Sequence, residues 1–281
     1  MQRLLTGLAG AAILLAATFL LPPLWYFGLA VLVVEWAVLE YVGVLRAAVP
    51  GAPLRSLLVL VPLAAVVLMA ATAAPALDAP LDLQVGLGLR VVAAALAITF
   101  AAAVVVLLGR TPIAEALPAL GAFGFGLPYF ALAALALGRL QEIDPWLLFL
   151  GFAIVFLGDT AAYYVGSRFG RRKMAPQVSP NKSWEGAAAG FAAGLEATAV
   201  WGWWRLGEVS PALLALAAAT AVAAQVGDLL ESMIKRAAGV KDSGRSLPGH
   251  GGILDRADAT FFALPVLLLG VWWLGPETLV P

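Results

Sequence analysis

The chain has no cysteine, a single histidine and few charged residues, and each shortage excludes a class of site. Without cysteine there can be no disulfide, no thiolate metal site and no thiol nucleophile. One histidine, His250, excludes sites built from several imidazoles. Any bound metal therefore needs oxygen ligands, which is typical of magnesium and similar hard cations. The formal net charge is zero, so no basic field indicates nucleic acid as a partner.

The shortage of charge also identifies the broad class of protein. Charged residues make up 12% of the 281 residues and apolar residues 62%. An ordinary soluble domain has about 25% charged residues, and disordered chains are polar as well. The composition therefore predicts an all-α, polytopic integral membrane protein.

Nine apolar stretches are long enough to be membrane spans, which need about 20 residues each as helices. They cover residues 4–21, 24–45, 56–76, 86–109, 113–137, 145–166, 184–206, 211–234 and 257–274. The first stretch also resembles a signal peptide, but it continues to Leu21 and ends in Pro22-Pro23, which favours a retained span.

The basic residues predict the orientation of these spans. With nine spans, 14 of the 17 Lys and Arg residues fall on one face, Arg139 and Arg205 fall on the other, and Arg90 lies within a span. Because cytoplasmic loops are rich in Lys and Arg, the amino terminus is predicted to be cytoplasmic and the carboxyl terminus to lie on the opposite side.

The composition shifts near residue 145. Ten of those 14 basic residues lie in the connections 167–183 and 235–256, and most acidic residues of this half lie nearby. We therefore predict that residues 1–140 are scaffold helices, comprising spans 1–5. Residues 141–281 are predicted to be catalytic helices, comprising spans 6–9, with cytoplasmic loops 167–183 and 235–256.

Two carboxylates lie unusually deep in these later spans. Asp159 is followed by Tyr163 on the same helical face, and Asp228 is followed by Glu231 and Ser232. A carboxylate at such depth costs about 2.5–3.5 kcal/mol on insertion scales, so function is the usual reason for one. The alternative is a structural ion pair that locks two helices together.

The densest polar pattern begins at Ser232 and ends at Asp258. It contains Lys235-Arg236, Lys241-Asp242 and the run from His250-Gly251-Gly252 to Asp255-Arg256-Ala257-Asp258. Glycines allow the backbone to approach a ligand, cations neutralise phosphate, and carboxylates hold a metal. This combination favours phosphoryl-group chemistry, with Asp228 and Asp255 as the metal ligands. We expect His250 to make a hydrogen bond or phosphate contact rather than to abstract a proton.

A second polar segment, Ser179 to Gly186, lies upstream. Ser183 is predicted to cap the next helix, and Lys182 and Glu185 are expected to face the same cytoplasmic region as the glycine loop. Glycines at 186, 190 and 194 predict a small-residue packing face on the seventh span.

At these residues the chain resembles the phosphatidate cytidylyltransferase (CDP-diacylglycerol synthase) family. The family signature runs from Ser232 to Asp258 with every spacing kept. Ala257 departs from the larger apolar residue or Thr usual there, and Asn181 and Ser183 stand where Lys and Thr are common. The resemblance covers about the last 140 residues well, and the earlier part matches only as a series of hydrophobic spans.

The resemblance implies that CTP and phosphatidic acid are converted to CDP-diacylglycerol and pyrophosphate. It also implies an all-helical homodimer in the inner membrane, with the active site at the cytoplasmic face, Mg²⁺ and a second cation such as K⁺. The candidate catalytic residues are Asp228, Asp255, Lys235, Arg236, Lys241, Asp242 and His250. The candidate substrate-binding residues are Asp159, Tyr163, Ser179, Lys182, Glu185, Ser232, Gly251, Gly252, Arg256 and Asp258.

Two other functions are weighed against this one. A CDP-alcohol phosphotransferase needs a longer aspartate motif, whereas Asp255 and Asp258 are one residue too close and the first half of the motif is missing. An ion-coupled secondary transporter could use the buried Asp159, Asp228 and Glu196, but it is expected to show paired inverted repeats. Here the charges cluster in one half only.

Overall fold

The protein is almost entirely helical in the computed structural model, which describes residues 2–46, 48–73, 81–246 and 251–280. Within these ranges the helices are α1 (Gln2–Leu20), α2 (Pro23–Leu45), α3 (Leu57–Ala73), α4 (Leu81–Arg110), α5 (Ala116–Ile143), α6 (Pro145–Phe169), α7 (Trp184–Leu206), α8 (Pro211–Ala237) and α9 (Leu254–Leu274). Two short antiparallel strands, β1 (Lys173–Ala175) and β2 (Ser179–Ser183), form a hairpin between α6 and α7. The all-α class is confirmed.

Each of these helices overlaps one predicted span. In the described part of the chain, seven of them are long and apolar enough to cross a membrane: α2, α3, α4, α5, α6, α8 and α9. Helix α1 contributes only the shorter apolar segment Ala9–Leu20, and α7 is not among the seven. The protein is therefore a multi-pass membrane protein, while nine crossings and the sides of the termini stay predictions.

Local sequence signals determine where several helices begin. Asp144 caps α6, because its Oδ1 accepts a hydrogen bond from the Trp146 N–H at 2.9 Å and Pro145 occupies the first helical turn. Ser183 caps α7 and accepts a hydrogen bond from the Gly186 N–H at 3.2 Å. The predicted Ser183 cap is confirmed.

Regular structure extends into both predicted cytoplasmic loops. Helices α6 and α8 each extend three residues past the predicted end, and both carry basic side chains in the last turn, which stabilises a helix carboxyl terminus. The connection 167–183 contains the β1–β2 hairpin, which was not predicted. Its sequence signal is weak, because β2 contains Pro180, which has no N–H to donate.

The chain divides into two compact units. The first unit comprises Met1–Gly7, Pro22–Arg139 and Asp242–Arg256. The second unit comprises Leu8–Leu21, Leu140–Lys241 and Ala257–Pro281. Both units draw on each half of the chain, and the predicted division at residue 140 into scaffold and catalytic helices stays a prediction.

Close helix contacts organise the second unit. A Cβ added to Gly190 of α7 would lie 2.7 Å from the Gly158 carbonyl oxygen of α6, and one added to Gly186 would lie 2.8 Å from that of Ala162. The predicted small-residue packing face is therefore confirmed, and α6 is its partner. This contact places the end of α6 beside the start of α7, where the polar residues of the unit gather.

Candidate active site

The second unit gathers charged side chains around α8. The Lys182 ammonium lies 2.5 Å from Asp228 Oδ2, and both side chains are about one-third exposed or less. One turn further along α8, Lys235 forms an ion pair with Glu231 at 2.5 Å, and the Glu231 side chain is only 5% exposed. These pairs compensate carboxylates that would otherwise be costly to remove from water.

Two more carboxylates reach the same cluster. Asp159 of α6 interacts electrostatically with Asp228 and Lys182. Asp258 of α9, which is 7% exposed, interacts with Asp228, Glu231 and Lys235. Within this cluster four carboxylates therefore share two ammonium groups, so the negative charge is in excess. A divalent cation would reduce that excess, and carboxylate oxygens are the ligands that Mg²⁺ prefers.

No group of three or more His, Asp or Glu side chains is arranged to hold a metal ion among the described residues. In the second unit, the Asp228 carboxylate forms an ion pair with Lys182. The donor chemistry and the excess negative charge fit a hard cation, and a cation that bound Asp228 Oδ2 would have to displace the Lys182 ammonium group from that oxygen.

The β1–β2 hairpin that carries Lys182 is anchored at both of its ends. Glu185 accepts hydrogen bonds from the backbone N–H groups of Arg171 at 3.1 Å and Arg172 at 3.2 Å. The Arg236 guanidinium of α8 donates from Nε to the Val178 carbonyl at 3.3 Å. These contacts hold β2 beside α8, so Glu185 and Arg236 have structural partners in addition to their predicted roles.

In the first unit, Asp255 organises the glycine-rich segment that precedes α9. Its carboxylate accepts hydrogen bonds from the Ser243 N–H at 3.0 Å and the Gly252 N–H at 2.8 Å. Gly251 has a φ of +81°, and a Cβ there would lie 2.6 Å from Asp255 Oδ2. Glycine is thus required at 251 by both the backbone conformation and the close approach.

Sequence reasoning missed Glu40 of α2. This side chain is 8% exposed and accepts four hydrogen bonds. Its Oε2 accepts from the Ser243 hydroxyl at 2.9 Å and the Leu254 N–H at 2.9 Å, while its Oε1 accepts from the Ser246 hydroxyl and from the Ile253 N–H at 3.1 Å. A carboxylate within an apolar span was the available signal, as it was for Asp159.

These contacts also explain why α9 begins at Leu254 rather than at the predicted Ala257. The first N–H groups of a helix lack intrahelical acceptors. Here the carboxylate of Glu40 accepts from Ile253 and Leu254, and a negative charge favours this end of the helix dipole.

The remaining candidates occupy simpler positions. Tyr163 is 70% exposed and packs edge to face against Tyr164 at 5.4 Å between ring centroids. Exposed side chains are Lys241, Asp242 and Arg256, and half-buried ones are Ser179 and Ser232. His250 lies outside the described residues. The predicted substrate and phosphate contacts of all these residues stay predictions.

Comparison with known proteins agrees with the sequence motif. The family model described as "Cytidylyltransferase family" matches residues 1–274. A protein of Brucella suis biovar 1 (strain 1330) named phosphatidate cytidylyltransferase is 41% identical over 156 residues, covering 51% of this chain and 54% of that protein. Proteins of the same name in Pseudomonas aeruginosa and Bacillus subtilis (strain 168) are 44% identical over 124 residues and 37% identical over 153 residues.

These last two matches cover 43% and 50% of this chain, and 46% and 56% of the relatives. The chain thus aligns with about half the length of the curated relatives it matches. The family match is more extensive, because it includes the early helices as well as the polar segments of the carboxyl-terminal half. The chain therefore belongs to the cytidylyltransferase family.

Proposed function

We propose that the protein transfers a cytidylyl group from CTP to phosphatidic acid, giving CDP-diacylglycerol and pyrophosphate. The family match over residues 1–274 carries this proposal, and the relatives named phosphatidate cytidylyltransferase give the substrates. A phosphate oxygen of the lipid forms a new bond to the α-phosphorus of CTP. The bond from that phosphorus to the oxygen bridging to the β-phosphate breaks, and pyrophosphate leaves.

The arrangement of charge supports this chemistry. Lys182 and Lys235 lie beside carboxylates, and Lys241, Arg236 and Arg256 are exposed. Cations of this kind bind the phosphates of CTP and of the lipid, and they stabilise charge that moves to pyrophosphate. Lys182 is suited to exchange its carboxylate partner for a phosphate oxygen when substrate binds.

We include Mg²⁺ in the proposal, with Asp228 and Asp255 as its protein ligands, and a second cation such as K⁺. The bound metal would stabilise the negative charge of the leaving pyrophosphate. The excess of carboxylates over ammonium groups in the second unit supports a cation requirement. Asp258 then serves the charge balance of α8 rather than the metal itself.

The proposal places the reaction at the cytoplasmic face of the inner membrane and the protein in a homodimer. CTP is a cytosolic molecule and the acceptor is a lipid, so an active site at that boundary reaches both. The predicted excess of Lys and Arg on one face supports this orientation.

The test uses the protein purified in detergent, with CTP labelled at the α-phosphate, phosphatidic acid and Mg²⁺. We expect label in a lipid product that comigrates with CDP-diacylglycerol, and pyrophosphate in equal amount. Omission of phosphatidic acid and addition of excess chelator are the controls. Release of CMP from CDP-diacylglycerol and an alcohol would instead indicate the phosphotransferase. Ion uptake into proteoliposomes without cytidylyl transfer would indicate the transporter.

A further inference from the structure

A buried carboxylate in the amino-terminal half holds the polar segment that precedes α9. Glu40 lies in α2, five residues before its end at Leu45, in a run that is otherwise apolar apart from Glu35. All its described partners belong to residues 243–254, more than 200 positions later in the chain. Both groups lie in the first unit.

Every acceptor position of the Glu40 carboxylate is used. Each oxygen accepts one hydrogen bond from a serine hydroxyl and one from a backbone N–H. A carboxylate offers about four lone-pair sites in all. Such charge-assisted hydrogen bonds are about twice as strong as neutral ones. All the acceptor sites of this side chain are therefore occupied by the segment, and none is left to bind a substrate.

The segment is shaped to admit this carboxylate. A Cβ added to Gly252 would lie within contact distance of Glu40 Oε2, and one added to Gly244 would lie 2.8 Å from Oε1. Trp36, one turn earlier on α2, donates from Nε1 to the Ser246 hydroxyl at 3.2 Å, and that hydroxyl donates to Glu40. The two glycines thus leave room for the Glu40 carboxylate, and the tryptophan holds one of its hydrogen-bond donors in place.

Glu40 and Asp255 act on the same short stretch of backbone. Asp255 accepts hydrogen bonds from the N–H groups of Ser243 and Gly252. Glu40 accepts hydrogen bonds from the Ser243 hydroxyl and from the N–H groups of Ile253 and Leu254. Fixing residues 252–254 fixes the start of α9 and hence the position of the Asp255 carboxylate.

We infer that Glu40 is a positioning residue for cytidylyl transfer: it holds residues 243, 246 and 253–254 so that Asp255 stays in its working position. The inference rests on the proposed function. Glu40 itself touches no reactant and acts through Asp255.

Glu40→Gln is the sharpest variant. Glutamine keeps the size, and a serine hydroxyl can reverse its hydrogen bond to accept from the new NH₂ group. The backbone N–H of Ile253 or Leu254 cannot reverse and loses its acceptor. An unsatisfied buried donor of this kind corresponds to an effect of about 10- to 100-fold.

The matched control is Glu35→Gln. Glu35 lies on the same helix five residues earlier and is half-buried, and its Oε1 is buried without a hydrogen-bond partner among the described residues. The same chemical change is thus made where no contact to the 243–254 segment is shown.

Two measurements on the full-length protein in detergent decide the matter. Hydrogen–deuterium exchange of peptides covering 242–256 is expected to be about tenfold faster in Glu40→Gln, with peptides of α8 unchanged and Glu35→Gln like wild type. In the labelled-CTP assay, Glu40→Gln is expected to lower kcat about 10- to 100-fold and to raise the half-saturating Mg²⁺ concentration. Glu40→Asp, which keeps the charge, is expected to restore part of both.

Unchanged exchange over 242–256 in Glu40→Gln overturns the inference, whether or not activity falls. Faster exchange with unchanged kcat and unchanged Mg²⁺ dependence also overturns it, because the segment would then move without consequence. If Glu40→Gln does not fold, Ser243→Ala, which removes one hydroxyl donor, is expected to give smaller changes in the same direction, and unchanged exchange there overturns the inference. A wild-type protein without activity refutes the proposed function, while the exchange measurement still decides whether Glu40 holds the segment.

Discussion

Asp228 and Lys182 illustrate how one side chain compensates the charge of another that is partly removed from water. Neither is fully solvated, and each neutralises the other across 2.5 Å. Breaking such a pair on one side leaves an uncompensated charge, which costs about 3–5 kcal/mol when the pair is buried and less here because both groups retain some exposure. A cation that replaced Lys182 would keep Asp228 neutralised while freeing the ammonium group for phosphate.

The first prediction concerns the two proposed metal ligands. Asp228→Asn and Asp255→Asn are each expected to abolish cytidylyl transfer without reducing the yield of folded protein, because asparagine keeps the size but loses the charge that binds the ion. Excess Mg²⁺ is expected to rescue one single variant in part and the double variant not at all. The measurement is turnover of labelled CTP against Mg²⁺ concentration.

Glu196→Gln provides the control for that series, since Glu196 is an exposed carboxylate on α7 outside the charged cluster. Its turnover is expected to match wild type. If both aspartate variants kept more than about a tenth of wild-type activity, a deficit under about 1.4 kcal/mol, the shared-metal assignment would be wrong.

A second prediction separates a phosphate contact from general surface charge. Lys241→Ala is expected to lower kcat/KM about 10- to 150-fold, since losing one hydrogen bond to a charged group costs about 1.5–3 kcal/mol. Lys173→Ala, which removes another exposed charge, from β1, is expected to change kcat/KM less than about twofold. Equal kinetics for Lys241→Ala and wild type would remove Lys241 from the site.

Sequence alone selected Asp159, Asp228 and Asp258 as candidates, and it missed Glu40 for a physical reason. Asp228 stands beside the dense polar motif and Asp258 within it, so each supports the interpretation of the other, while Asp159 was selected for its depth in a span. Glu40 stands alone in an apolar run, and its partners follow 203 to 214 residues later. Periodicity and spacing report neighbours along a helix, whereas contacts between distant segments depend on how helices pack.

At the scale of elements, the contact between α6 and α7 was predictable and the hairpin was not. Glycines spaced four residues apart place small surfaces on one helical face, and such a face is useful only against another helix. The partner helix could not be predicted, because the glycine spacing on α7 does not indicate which helix packs against it. The two strands have only three and five residues, and one contains proline. They are too short for an alternation of apolar and polar residues to identify them.

The third prediction tests that helix contact. Gly190→Ala is expected to lower the Tm in detergent, because the new Cβ would lie 2.7 Å from the Gly158 carbonyl oxygen. Overpacking of this kind costs about 1–3 kcal/mol and outweighs the gain in helix propensity of about 1 kcal/mol. Gly43→Ala on α2, where a Cβ meets nothing within 4 Å, is expected to leave the Tm equal or higher. A Tm for Gly190→Ala at or above that of Gly43→Ala would contradict the packing argument.

For the molecule as a whole, α7 decides how the carboxyl-terminal part of the chain crosses the membrane. Nine crossings place Ser179 on the cytoplasmic side and both Glu208 and Thr278 on the other side. Helix α7 is not among the seven helices that meet the length and hydropathy requirements in the described chain. If α7 does not cross, Ser179 and Glu208 share one side. The number of apolar runs could be predicted, but whether a moderately apolar helix crosses depends on its neighbours.

The fourth prediction uses the absence of cysteine. Single cysteines introduced at Ser179, Glu208 and Thr278 are expected to react with a membrane-impermeant thiol reagent in intact cells only at 208 and 278, and at 179 only after permeabilisation. Wild type provides the unlabelled background. Labelling of 179 and 208 from the same side would remove α7 from the spans, and labelling of 179 and 278 from the same side would refute an odd number of crossings between these two positions.

The Glu40 contact also sets an order of events during biosynthesis. Helix α2 leaves the ribosome some 200 residues before Ser243 and Leu254, a delay of roughly 10–40 s at about 5–20 residues per second. Throughout that interval the Glu40 side chain lacks its four hydrogen-bond donors, all of which belong to residues synthesised later. The contact can therefore form only once the start of α9 has been synthesised, so the last helix to emerge completes the hydrogen bonds of an early one.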